Sequence, residues 1–227
     1  MSVPVVLVMA KVPILGQVKT RLAATEGAAR AAQLATAALL DTLDVCELTF
    51  GLGRCHLSLG GDLGRLDDVE LRSRLRTWTV RPQRGAGLGE RIANAHRELH
   101  PTALAPVVQI GIDTPHVTSA ALRSVAVMAV HQPVLGLAED GGWWVLATND
   151  PAQVDGLEKV PMSTARTGQR TWELLRAGGS IVGTVPSMRD VDEAADAEYV
   201  ATLAPTTRFA QAWRANHVLP PPTSSRG

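Results

Sequence analysis

The sequence predicts an α/β fold: a mostly parallel sheet covered by helices on both faces. Short apolar runs rich in β-branched residues, such as Val3–Met9 and Pro106–Ile112, alternate with longer segments whose apolar residues recur at helical spacing. The runs are apolar throughout, as in strands covered on both faces, rather than at every second position. With 227 residues and no Pro/Gly/Ser-rich linker before its end, the chain reads as one large domain with a substantial core, here bounded at residues 1–218. Residues 219–227 are too polar and proline-rich to pack and are expected to form a disordered tail.

The elements follow in order. Val3–Met9 is a buried strand, and Pro13 and Gly16 make Lys11–Arg21 a loop. Gly27–Val45 offers Ala, Leu and Gln with helical periodicity, a helix. His56–Leu59 is a second strand, Asp62–Arg76 a surface helical region with leucines at Leu63, Leu66, Leu71 and Leu75, and Thr77–Val80 a third strand. The glycine-rich turn Gly85–Gly89 leads into a helix ending near His100. Pro106–Ile112 is a strand and Thr118–Val130 a helix. Pro133–Leu137 and Trp143–Ala147 are strands around the turn Glu139–Gly142. Thr167–Ala177 is helical, Ile181–Val185 the last strand, and Glu193–Leu203 a final helix.

Bulk chemistry narrows the function. With 22 basic and 22 acidic residues the net charge is zero, which argues against a general nucleic-acid or membrane-surface binder. Cys46 and Cys55 form neither a C-x-x-C pair nor a zinc spacing and read as buried free thiols. The apolar start, Met1–Met9, is too short to cross a bilayer and lacks the basic lead of a signal peptide, so a cytoplasmic protein is expected.

In open α/β sheets ligands bind beyond the carboxyl ends of the strands. After the first strand, Lys11, Lys19 and Arg21 can surround an anion with charge-assisted hydrogen bonds, and the following helix adds backbone donors; a solvated basic loop is the competing reading. Gly16 and Lys19-Thr20 do not make a Walker loop, because Val18 and Pro13 stand where that motif needs glycine. After the third strand, glycines at Gly85, Gly87 and Gly89 permit close backbone approach to a flat ligand, flanked by Arg84 and Arg91; taken alone, such a stretch is more often a flexible helix lead-in than a site. Asp113, directly after the Pro106–Ile112 strand, is placed to hold Mg²⁺ or Mn²⁺, and Thr118 or Ser119 can cap the next helix in its stead. Asp140-Gly141-Gly142 is either a tight hairpin turn or a pocket wall, and of Trp143 and Trp144 one should be core and the other can line that pocket. In Asp190-Val191-Asp192, one carboxylate can complete the metal site and at least one should cap the following helix. His116 is read as a surface residue without a role.

With these segments in order, the chain resembles the GT-A-like nucleotide-diphospho-sugar transferase superfamily, and more narrowly the selenodomain-associated transferase family, often labelled glycosyltransferase. The matching pieces are Met9–Pro13 with Gly16, Val18–Leu22, Gly87–Arg91, Gly111–Pro115, Glu139–Gly142, Ser163-Thr164 and Asp190–Asp192. The resemblance implies a Rossmann-like three-layer α/β/α sandwich with the nucleotide over the N-terminal half and the acceptor over the C-terminal half. On the matching positions it implies nucleotide and phosphate contacts from Ala10, Lys11, Gly16, Lys19, Arg21, Gly87, Leu88, Gly89 and Arg91. It implies acceptor contacts from Asp140, Gly141, Gly142, Trp144, Ser163 and Thr164, and a Mg²⁺ or Mn²⁺ ion on Asp113 with Asp192 as second ligand. Trp143-Trp144 and Met162 depart from the family's usual tyrosines and aromatic residue, which bears on acceptor identity.

Lys19 and Asp113 are the expected catalytic pair. The basic first loop suits a departing pyrophosphate, so nucleotidyl transfer from a nucleoside triphosphate to a small phosphorylated acceptor is the leading expectation. Glycosyl transfer from a nucleoside-diphosphate sugar and a non-catalytic nucleotide-binding domain are the alternatives. The expected partners are small molecules, with no nucleic acid and no membrane; a homodimer is left open.

Overall fold

The computed structural model describes residues 3–215. Seven strands form one sheet: β1 (Val5–Lys11), β2 (Cys55–Gly60), β3 (Thr79–Pro82), β4 (Val107–Ile110), β5 (Val134–Ala138), β6 (Trp143–Thr148) and β7 (Gly183–Met188). Their order is β3-β2-β1-β4-β6-β5-β7. All neighbours run parallel except β6, which is antiparallel to both β4 and β5. A hairpin explains that exception, since Glu139–Gly142 reverses the chain between β5 and β6 and antiparallel strands need only a short connection.

The helices are α1 (Thr20–Glu26), α2 (Ala28–Phe50), α3 (Val69–Leu75), α4 (Leu88–Ala103), α5 (Ser119–Ala129), α6 (Thr167–Ala177), α7 (Ala194–Leu203) and α8 (Arg208–Arg214). Strand alternation sends Val6, Val8, Val108 and Ile110 to one face, where they meet Leu39 and Leu43 of α2 and Leu122 and Val125 of α5. Val5, Leu7, Met9 and Val107 face the other way onto Ile92 and Leu99 of α4 and Leu175 of α6. The expected three-layer sandwich is therefore present. A third cluster lies beyond the sheet: Leu22, Leu34, Val191, Val200, Phe209 and Trp213 join α1, α2, α7 and α8.

Several boundaries differ from those expected. The basic loop is followed by a short helix of 7 residues that breaks at Gly27 before α2 begins, and α2 continues to Phe50. Asp62–Arg76 is not one helix: a 3-10 turn at Leu63–Arg65 precedes α3, whose N-cap is Asp68, its carboxylate accepting from Leu71 N. β3 starts two residues later than expected because Thr77 N still donates to Arg74 O, closing the helix, and Trp78 is buried. β7 also starts later, since Ile181 is 81% exposed and stands outside the sheet. Helix α8 was not expected at all. The expected boundary at residue 218 and the tail at 219–227 lie outside the described residues. Among the described residues, no helix is long and apolar enough to cross a membrane.

Candidate active site

The parallel strands β1, β3, β4, β5 and β7 end on one edge of the sheet, and β6 begins there. Their loops consequently crowd the crevice where β1, leading outward to β2, sits beside β4, which leads the other way. Two cavities open at this edge. One is lined by Lys11, Gln17, Val18, Lys19, Gln83, Ala86 and Arg91. The other is lined by Arg21, Gln109, Trp143, Met162, Thr167 and the carboxylates Asp113, Asp140, Asp190 and Asp192. Met9, Leu88, Asp113 and Ser163 border both, so the cavities meet at Asp113.

The basic loop is stapled inward by Val12, Ile14 and Val18, all buried. Gly16 adopts φ +77 in its turn. Lys19 is itself left-handed (φ 47) at the N-cap of α1, and Ser163 is left-handed (φ 58) where the cavities join. Such non-glycine backbone strain of about 1–3 kcal/mol persists only where surroundings enforce it, and it concentrates at functional sites. The Lys19 side chain is 6% exposed; its ammonium forms an ion pair with Asp113 Oδ1 and donates to Val191 O at 2.5 Å. Arg21 pairs with Asp192 Oδ2 at 3.0 Å. Val191 N donates to Asp113 O, which ties the 190–192 segment to the end of β4. Because α1 is so short, its dipole adds little, and the positive charge of this loop comes from its side-chain cations.

Oxygens of Asp140, Asp190 and Asp192 all lie within 4.8 Å of one another. Burial first, then the neighbouring Asp140, Asp192 and Asp113 charges, raise the Asp190 carboxyl to about 6. Asp192 is also raised, by burial first, with Lys19 opposing. Crowded carboxylate oxygens are the donor set a hard divalent cation takes, and such an ion would relieve this repulsion. The expected pair Asp113 and Asp192 is thus only half of what the structure assembles: Asp140 and Asp190 join Asp192, while Asp113 faces Lys19. Asp113 is free of capping duty as expected, since Thr118 Oγ1 accepts from Ala121 N. Neither Asp190 nor Asp192 caps α7, contrary to expectation. Asp196 accepts from the backbone N–H groups of Asp192 and Glu193 in their place, leaving both side chains turned to the cavity.

Of the other expected residues, Ala10, Lys11, Leu88 and Arg91 line the basic cavity, and Arg91 Nε also donates to Gly85 O. Gly87 has open space where a Cβ would stand, whereas a Cβ on Gly89 would lie 2.4 Å from Leu157 O. Gly89 therefore serves helix packing rather than ligand approach. Gly141 (φ +89) packs against Ala165 O, Asp140 Oδ1 accepts from Gly142 N, and Gly142 lines the acidic cavity. Thr164 shapes the turn into α6 through Thr167 and does not line the acidic cavity, whose hydroxyl residues are Thr114, Ser163 and Thr167. Trp144 borders the cavity but is 4% exposed with its indole N–H donated to Pro186 O. Trp143 borders it as well, and among the described residues its buried indole N–H finds no hydrogen-bond partner, nor does buried Gln109 Oε1. Sequence reading missed Gln109, Gln83 and Met9 as lining residues; a glutamine inside the apolar run Pro106–Ile112 was the available signal for the first.

A family model described as "Uncharacterized protein conserved in bacteria (DUF2064)" matches residues 47–164, more than half of the chain. The chain belongs to this family. The matched span carries β2 to β6, hence Gly87–Arg91, Asp113 and Asp140, while the basic loop and Asp190–Asp192 lie outside it. No curated protein matches the sequence. Among solved structures, a "putative nucleotide-diphospho-sugar transferase" from Desulfovibrio desulfuricans G20 is 24% identical with a TM-score of 0.78, covering 96% of each chain. A cytidylyltransferase from Leptospira borgpetersenii serovar Hardjo-bovis has TM-score 0.57 at 11% identity, over 95% of this chain and 94% of that one. Rv0371C of Mycobacterium tuberculosis H37Rv, in complex with manganese, has TM-score 0.51 at 18% identity over 90% and 100%. These likenesses establish a shared fold, that of the nucleotide-diphospho-sugar transferases and cytidylyltransferases.

Proposed function

We propose that this protein is a metal-dependent, nucleotide-utilising transferase, and specifically a nucleotidyltransferase that moves a nucleotidyl group from a nucleoside triphosphate to a small phosphorylated acceptor. The observation that carries this reading is the junction of a basic and an acidic cavity at Asp113. A triphosphate lies along Lys11, Lys19 and Arg91, and the acceptor enters from the side of Ser163, Thr167 and Trp143. An acceptor phosphate oxygen then attacks the α-phosphorus, the bond from that phosphorus to the β-bridging oxygen breaks, and pyrophosphate departs with the electron pair. Lys19, buried and fixed at both Asp113 and Val191, is pre-positioned against charge developing on the phosphates. Arg21 can approach the same phosphates when it leaves Asp192. A Mg²⁺ or Mn²⁺ ion on Asp190 and Asp192, with Asp140 or Asp113 beside them, would supply charge neutralisation at the phosphates. The fold shared with a cytidylyltransferase and with a manganese-bound protein supports this choice.

Glycosyl transfer from a nucleoside-diphosphate sugar is the second reading, supported by the name borne by the Desulfovibrio structure. A melting-temperature screen decides between them, because a ligand that binds only the native state raises its stability. Nucleoside triphosphates with Mg²⁺ should stabilise the protein more than UDP- or GDP-sugars, and a pyrophosphatase-coupled assay should then release phosphate when phosphorylated acceptors are added. Stabilisation by nucleotide sugars alone would move the assignment to glycosyl transfer.

A further inference from the structure

The cations that should hold phosphate and the carboxylates that should hold metal are, in this structure, bound to one another. Lys19 pairs with Asp113, and Arg21 pairs with Asp192 at 3.0 Å. These two contacts bridge the loop after β1 to the segments after β4 and β7. Lys19 is 6% exposed on its side chain, so water cannot replace Asp113 as its counter-charge. Asp113, by contrast, is 53% exposed and Asp192 38%, so each retains a face toward the acidic cavity.

We propose that these two ion pairs form an internal latch that couples metal and nucleotide binding, each ligand freeing the other's binding groups. A divalent cation drawn to Asp190 and Asp192 weakens the hold of Asp192 on Arg21 and of Asp113 on Lys19, so the cations turn their remaining donors to phosphate. A polyphosphate engaging Lys19 and Arg21 likewise exposes the carboxylates to the metal. Linkage makes the effect reciprocal: whatever factor the metal adds to phosphate affinity, phosphate adds to metal affinity. Val191 is the fixed point of the arrangement. Its carbonyl keeps Lys19 in place by a bond that the exchange does not break, and its N–H keeps Asp113 in register. The resting site thus stays neutralised without either ligand and resists binding polyphosphate that lacks a metal.

This inference rests on the phosphate reading of the basic cavity, and calorimetric titration with inorganic tripolyphosphate in EDTA tests the two separately. Metal-free affinity should rise about tenfold in Asp113→Asn and in Asp192→Asn, each of which releases one cation, since a hydrogen bond between charged partners is worth about that much. Asp140→Asn removes the same charge from the same cavity but releases no cation, so it should change affinity less than about twofold by the same reasoning. An equal rise in all three variants, or no rise in the first two, overturns the latch while leaving the phosphate site standing. Absence of tripolyphosphate binding in wild type and every variant, with and without Mn²⁺, removes the phosphate site and the latch with it. Unchanged circular dichroism in the free variants confirms that folded proteins are being compared, and either of the first two suffices if the other does not fold.

Discussion

Lys19 shows how much one residue can be asked to do. It caps α1 in a left-handed conformation, buries its stem, and reaches two loops distant in sequence through Asp113 and Val191. Lys19→Ala and Asp113→Ala are each expected to abolish turnover, at least 100-fold in kcat as removal of a pre-positioned electrostatic group typically does, with the fold retained by circular dichroism. Unchanged turnover in either variant would sink the site assignment. A second residue-scale prediction concerns His96, which is fully buried on α4 with Nδ1 beside Thr148 Oγ1. Burial pulls its pKa down to about 3, helped by the His100 charge. Its neutral form is therefore part of the fold, and the stability it contributes is present above the unfolded value near 6.5 and is lost as pH falls from there toward 3. The unfolding free energy from urea melts should decline on going from pH 7 to 5; the extra proton that His96 takes up in the unfolded chain contributes up to about 1.4 kcal/mol per pH unit, and His56, His100 and His116, also lowered by burial, add to the decline. His96→Asn, which keeps a nitrogen near Thr148, should flatten that slope; an identical slope would show that other groups cause it.

At the scale of elements, the carboxylate segment and the basic loop share one foundation. Leu22, which follows Arg21, and Val191, which separates Asp190 from Asp192, are both fully buried in the cluster that also holds Phe209 and Trp213 of α8. Helix α8 lines neither the basic nor the acidic cavity, and its packing beneath both charged segments is expected to hold them in position. Phe209→Ala should cost about 3–5 kcal/mol of stability, as truncation of a buried aromatic does, and should weaken tripolyphosphate binding below the melting transition. Retained affinity in a destabilised but folded variant would show that α8 stabilises without positioning. The turn between β5 and β6 is constrained in another way. A Cβ at Gly141 would lie 2.2 Å from Ala165 O, and φ there is +89. Gly141→Ala should therefore destabilise by about 1–3 kcal/mol through backbone strain alone, read as a lower urea midpoint, and should displace Asp140 from the carboxylate cluster.

For the molecule as a whole, the layering was legible from the sequence because burial on both faces leaves a local trace. The apolar runs at β1 and β4 and the helically spaced apolar residues of α2 are decided by neighbours along the chain. The place of the candidate site was legible too, since the carboxyl ends of parallel strands are where unusual residues gather: Lys11 is the last residue of β1, Asp140 stands two residues after β5 and Asp113 three after β4. Element ends were less readable, as Trp78 and Ile181 show, because a β-branched or aromatic residue marks strand propensity without saying where pairing begins. Helix α8 escaped because its one turn of amphipathic pattern, Phe209 to Trp213, is shorter than the windows in which helical periodicity rises above chance. What only the tertiary structure decided is pairing: that Asp140, Asp190 and Asp192 converge, that Asp113 meets Lys19, that the Trp144 indole donates to Pro186 while the Trp143 indole finds no partner among the described residues. A sequence fixes which side chains carry charge and roughly which end of a strand they occupy. Distances between loops separated by 94 or 171 residues depend on the twist of the sheet and the packing beneath those loops, and no local pattern encodes them.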